Sequence, residues 1–167
     1  MVGFSMNSGA SWYTTRTPEF VMNTKRFVWT VVAVFLVAQV FAIVIHGFIL
    51  GSAYRPFYGT LLRPMEGDVQ WMVVFLPIAH LAMAIAFVAL FARWVRPGPE
   101  IPQGLQFGVL AWLFGPVPMY LLWYAEQPWP GSLTVKQLVL ELFTMLVLGT
   151  LAAMLYRPSA QGVNHEL

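Results

Sequence analysis

The chain has no cysteine. That excludes disulfides, thiolate zinc sites and cysteine-held iron–sulfur clusters. Charge is scarce too. Only 10% of the 167 residues are Asp, Glu, Lys or Arg, against about a quarter in soluble domains. Nine basic and seven acidic side chains form no basic run, which argues against nucleic-acid binding. The pI near 9.2 reflects few charges in total. No nucleophile elbow, phosphate loop, HExxH or paired-carboxylate motif is present, so no enzyme activity and no metal site is expected.

Apolar residues take the space that charge leaves. They make up 59% of the chain, and the mean hydropathy is +0.69. A soluble domain of this length cannot hide that much apolar surface, so an integral membrane protein is expected. A spanning helix needs about 20 apolar residues. Four runs qualify, about 27–50, 69–92, 105–124 and 138–156. Backbone groups in lipid must satisfy one another, so the runs read as helices and the fold as an all-α transmembrane four-helix bundle. Thr134 and Gln137 have capping-box spacing and suggest where the fourth helix begins. Pro116 and Pro118 should kink the third helix, and such a kink can open a cavity.

With four spans, Arg16, Lys25, Arg26, Arg93, Arg96 and Arg157 share a side, and Arg55, Arg63 and Lys136 lie opposite. The richer side is expected to be cytoplasmic, which places both termini there. Residues 1–21 read as a cytoplasmic arm carrying Phe4, Trp12, Tyr13 and Phe20, and 159–167 as a polar tail. The stretch 52–68 reads as a surface loop. Small residues offer close-packing faces: Ala82, Ala86 and Ala89, then Gly104, Gly108, Ala111 and Gly115, then Gly149 and Ala153.

Four polar side chains fall at depth within the apolar runs. His46 lies about 6 Å inside the outer end of the first helix, and Glu141 about 5 Å inside the fourth, at 1.5 Å per residue. His80 and Gln39 lie deeper, at about 14 and 16 Å. Two tiers are expected, His46 with Glu141 above and Gln39 with His80 below. A lone ionised glutamate in hydrocarbon is costly, so Glu141 should be neutral or paired. An intramembrane ionisable residue is a functional candidate by default, whereas a plain helix-to-helix hydrogen bond is the simpler use. His80 is the better placed histidine for a haem or (bacterio)chlorophyll, with Ala79, Ala82 and Ala84 leaving room for a flat ring.

From Met22 onward the chain resembles small four-helix bacterial inner-membrane proteins with no assigned activity. The likeness rests on "MNTKRF" at 22–27, "IHGFILGSAY" at 45–54, "LRP" at 62–64, "GLQFGVLAWLFGPVPM" at 104–119 and "LYRP" at 155–158. It implies a four-span topology in the bacterial inner membrane. By the same likeness residues 1–21 look like an extension, and Met22 like a plausible start.

Three functions follow as expectations. The first is a non-catalytic accessory subunit of a photosynthetic or respiratory membrane complex, with other membrane subunits and bound lipids as partners. The second is a small dimeric transporter or ligand-binding protein using the polar site in the outer half. The third is a haem- or chlorophyll-ligating subunit through His80.

Overall fold

The computed structural model describes residues 23–156, with the backbone alone over 65–72. The expected arm and tail lie outside the described residues. Helix α1 (Thr24–Ala42) opens with the Asn23 side chain accepting from the Arg26 N–H at 3.1 Å, which satisfies one of the helix's orphan donors. It continues without interruption as a π-helical stretch, Ile43–Ile49. A short α2 (Gly51–Tyr54) and a 3₁₀ turn (Arg55–Phe57) follow. Then come α3 (Met65–Trp94), α4 (Glu100–Phe114), α5 (Pro116–Glu126) and α6 (Gly131–Leu155). Four spans result: Thr24–Ile49, Val73–Trp94, Glu100–Glu126 and Gly131–Leu155. The protein is an all-α, multi-pass membrane protein.

Several boundaries differ from the sequence expectation. Helix α3 begins at Met65, and so takes in the end of the expected loop, and Pro77 lies inside it. Pro77 has no N–H to give, so one backbone bond of the preceding turn is missing there. The third span is two helices. The chain breaks at Gly115 (φ −101°, ψ −83°), and Pro116 and Pro118 fall in the first turn of α5, where a missing N–H costs nothing.

Helix α6 starts seven residues before the expected position. Pro130 caps it, with its carbonyl accepting from the Leu133 and Thr134 N–H groups. The capping box therefore does not form. Thr134 is already inside the helix and its hydroxyl donates back to the Pro130 carbonyl at 3.3 Å.

Helix α6 is central. It packs along α4 and also meets α1 and α5, while α1 packs against α3. Between α4 and α6 the backbones touch. A Cβ at Gly104 would lie 2.6 Å from the Gly149 carbonyl oxygen, one at Gly108 2.5 Å from that of Met145, and one at Gly149 2.2 Å from that of Gly104. Side chains would push the helices apart. Trp112 adds an indole N–H bond to the Leu138 carbonyl at 2.9 Å.

Toward the end where α1 begins and α6 finishes, Val34, Ala84, Val88, Phe91, Leu148 and Ala152 form a fully enclosed core. Phe107 stacks edge-on against Phe87 and Phe91, with ring centres 4.9 and 5.2 Å apart. Toward the opposite, loop end, Ile45, Leu50, Tyr54, Trp129 and Leu133 form a second cluster. The alanines of α3 do not face the bundle as a set. Ala82 and Ala86 are exposed and Ala89 is half-buried.

Gly149→Val is expected to lower stability by about 1–3 kcal/mol or more, because the added atoms meet backbone that cannot rotate away. Gly47→Ala, where a Cβ meets nothing within 4 Å, should leave stability nearly unchanged. Unfolding titrations of the two variants in detergent measure the difference.

Candidate functional site at the loop end

The polar site is built where α1 stops being an α-helix. Over Ile43–Ile49 the turns widen, and the Leu50 N–H reaches back five residues to the Ile45 carbonyl at 2.8 Å. Such π-turns are rare and concentrate at functional sites. This one carries His46. Beyond it, α2 and the 3₁₀ turn fold the chain back over the bundle. Gly59, at φ +79°, takes the left-handed conformation that closes the loop, with its N–H bonded to the Leu62 carbonyl at 2.8 Å. Tyr54 is thereby turned inward. Trp129, between Pro128 and Pro130, comes in from the other side, 6.2 Å from the Tyr54 ring and 5.1 Å from Phe57.

Five side chains then connect in sequence. The Trp129 indole N–H donates to Gln137 Oε1 at 3.1 Å. An indole nitrogen can only donate, so this bond fixes which way the Gln137 amide points. The Gln137 Nε2 group donates to the Tyr54 hydroxyl oxygen at 3.0 Å. The Tyr54 hydroxyl in turn faces His46 Nδ1, 2.7 Å away, and His46 Nε2 faces Glu141 Oε1 at 3.3 Å. Beyond Tyr54 the direction of each bond depends on which ring nitrogen carries the hydrogen. Burial raises the pKa of the Tyr54 phenol; the Gln137 bond works against this, and nearby Glu141 and Tyr58 add to the rise. Tyr54 therefore keeps its hydrogen throughout the physiological range.

A second pair lies beside the first. His80 Nδ1 on α3 is hydrogen-bonded to Gln39 Oε1 on α1, and His80 is within electrostatic range of both Glu141 and His46. From α5, Tyr120 also comes within electrostatic range of Glu141. The structure thus brings Gln39 to His80 and His46 to Glu141, with four spans contributing. Glu141 arrives by a different route from the expected one. It lies ten residues into α6, about 15 Å along it, because the first turns of α6 stand beyond the end of α1 under the cover of the loop.

The surroundings of His80 differ from the expectation. Ala79 and Ala82 are exposed, but Ala84 is fully buried in the core, so the three do not share a berth for a flat ring. Among the described residues no group of three His, Asp or Glu side chains is placed to hold a metal ion. Two surface hollows lie away from Pro116 and Pro118. One of about 420 Å³ is walled by Leu105, Phe143, Leu146, Leu151 and Met154 between α4 and α6. Another of about 250 Å³ lies between Pro56, Phe57 and Lys136 at the loop end.

Sequence reasoning missed Tyr54, Trp129, Gln137 and Tyr120 as members of the site. Gln137 was taken up by the capping-box spacing and Tyr54 by the 52–68 surface loop, while Trp129 and Tyr120 carry no local signal of a site. No family model, curated protein or solved structure matches the chain. The resemblance noted from the sequence therefore carries the four-span architecture and nothing finer.

Gln137→Leu strands the Trp129 N–H and removes the donor to Tyr54. It is expected to cost about 1–3 kcal/mol, the range for a buried group left unpaired. Chemical unfolding of the variant beside the parent protein checks this.

Proposed function

We propose that this is a non-catalytic protein of the bacterial cytoplasmic membrane, with both termini inside, that binds a small polar ligand at the His46–Glu141 pair, as a ligand-binding or small dimeric transport protein. The observation that supports it is a gradient along the hydrogen-bond chain. The supporting members are dry: Gln137 is 2% exposed, Trp129 5% and Tyr54 7%. The ionisable end is open, with the Glu141 side chain 16% exposed and His46 35%. A bond serving only to pin α1 to α6 has no need of three further buried side chains behind it. A binding site does, because locked supporting groups hold the contacting atoms in place. The charge split across the spans supports the orientation.

Native mass spectrometry of the protein released from lipid nanodiscs tests the reading. A small molecule retained by the parent protein and lost from both Glu141→Gln and His46→Gln is the expected result. Identical spectra for all three would count against it. Labelling of a Gly59→Cys variant by an impermeant thiol reagent should occur from outside the cell, and labelling from the cytoplasm alone would reverse the orientation.

A second reading is favoured by α3. Ala79, Ala82 and Ala86 lie exposed on the bundle, unlike the glycines of α4 and α6, which are used internally. Small residues let another helix's backbone come close in lipid. This fits an accessory subunit docked in a larger photosynthetic or respiratory complex. Purification in mild detergent discriminates. Stable co-purifying subunits that are lost on Ala82→Leu favour docking, and a monodisperse isolated protein favours the ligand site.

A further inference from the structure

Resting on the site reading above, we propose that His46 and Glu141 share one exchangeable proton, and that Tyr54, held by Gln137 and Trp129, accommodates it by turning from donor to acceptor. The argument starts from the hydrogen inventory of the chain. With no added proton, the order is Tyr54 O–H to Nδ1, then Nε2–H to the Glu141 carboxylate, and the His46–Glu141 pair carries one negative charge. Its distances are 2.7 and 3.3 Å.

One proton added from the loop side lands on Nδ1. The Tyr54 hydroxyl hydrogen rotates away and its oxygen accepts from the new Nδ1–H. That oxygen already takes one hydrogen from Gln137 at 3.0 Å, and its second lone pair is free for this purpose. The Nε2 hydrogen then passes to Glu141 Oε1: the N–H bond breaks, an O–H bond forms, and the electron pair stays on Nε2. One proton has entered, the imidazole has changed tautomer, and the pair is neutral. No charge remains in hydrocarbon, which is the state the membrane interior favours. Deprotonation of Glu141 on its far side would complete the transfer.

The surroundings fit this use. Among the described residues, the titratable groups near the pair are His80 from α3, Tyr120 from α5, and Tyr54 with its neighbour Tyr58 from the loop. On α6 itself the nearest cation in sequence, Lys136, is exposed toward the loop-end hollow. Gln137 and Trp129 cannot titrate. They hold the Tyr54 oxygen in place while its hydrogen turns.

Infrared difference spectroscopy of the full chain in lipid vesicles, titrated between acid and alkaline pH, tests the proposal. A protonated-carboxyl band that shifts in heavy water and disappears in Glu141→Gln should grow in as pH falls. The imidazole bands assigned by His46→Gln should change at the same midpoint. In Tyr54→Phe the imidazole bands of His46 should shift on both sides of the midpoint, because the Nδ1 contact is lost in both states. Separate midpoints for His46 and Glu141, no Glu141 carboxyl band at any pH, or imidazole bands in Tyr54→Phe equal to the parent's would each overturn it. The wild-type midpoints decide the matter even if a variant fails to fold. A retained ligand with separate midpoints sinks the shared proton and leaves the binding site standing. A shared midpoint with no retained ligand does the reverse.

Discussion

The contact on which the rest depends is the backbone-to-backbone packing of α4 and α6. In lipid there is no hydrophobic drive to press helices together, so association rests on close contact and on hydrogen bonds. Gly104, Gly108 and Gly149 leave no Cβ where the two backbones come closest. The approach lets the Trp112 indole reach a carbonyl on the neighbouring helix. It also sets the position and rotation of α6, the helix that meets α1 and α5 as well. Glu141 sits two turns before Gly149 on the same helix, so the seam that holds the bundle also aims the site's carboxylate.

Around that carboxylate the membrane imposes a strict rule on polar groups, since an unpaired one has no water to turn to. The described bundle meets the rule by linking its polar side chains to one another. Among the described residues no buried side-chain nitrogen or oxygen lacks a partner. Direction matters as much as pairing. Trp129 can only donate, and that single constraint fixes the Gln137 amide, which then gives its own hydrogen to the Tyr54 oxygen. A donor-only residue at the dry end thereby holds the Tyr54 hydroxyl beside His46.

Two departures from regular helix border the site. The π-turns of Ile43–Ile49 carry His46, and the break at Gly115 separates α4 from the α5 segment that carries Tyr120. Each re-aims a side chain without leaving the membrane. The wider turns keep an unbroken backbone ladder while altering which face His46 occupies. The Gly-Pro junction lets α5 leave the line of α4, with the prolines standing where helix starts tolerate them.

What the sequence determined alone was the class of structure and the identity of its polar interior. Four apolar runs with almost no charge can only be helices in lipid, and His46, Glu141, Gln39 and His80 stand out because polar residues there are so few. The pairing of His46 with Glu141 was legible as a match of depth, although the depth of Glu141 was reckoned from the wrong helix start. Proline and glycine mark a boundary without saying on which side the helix resumes, and apolar runs stop where a covering loop allows a helix to continue. Only the tertiary structure placed Tyr54, Gln137, Trp129 and Tyr120 around the pair. These residues lie between 8 and 91 positions from His46 in the chain, and Gln137 and Tyr54 suit a helix cap and a surface loop just as well. Which of two compatible roles a side chain takes depends on what the folded loop and the glycine seam bring within 3 Å of it, and local sequence carries no record of that distance.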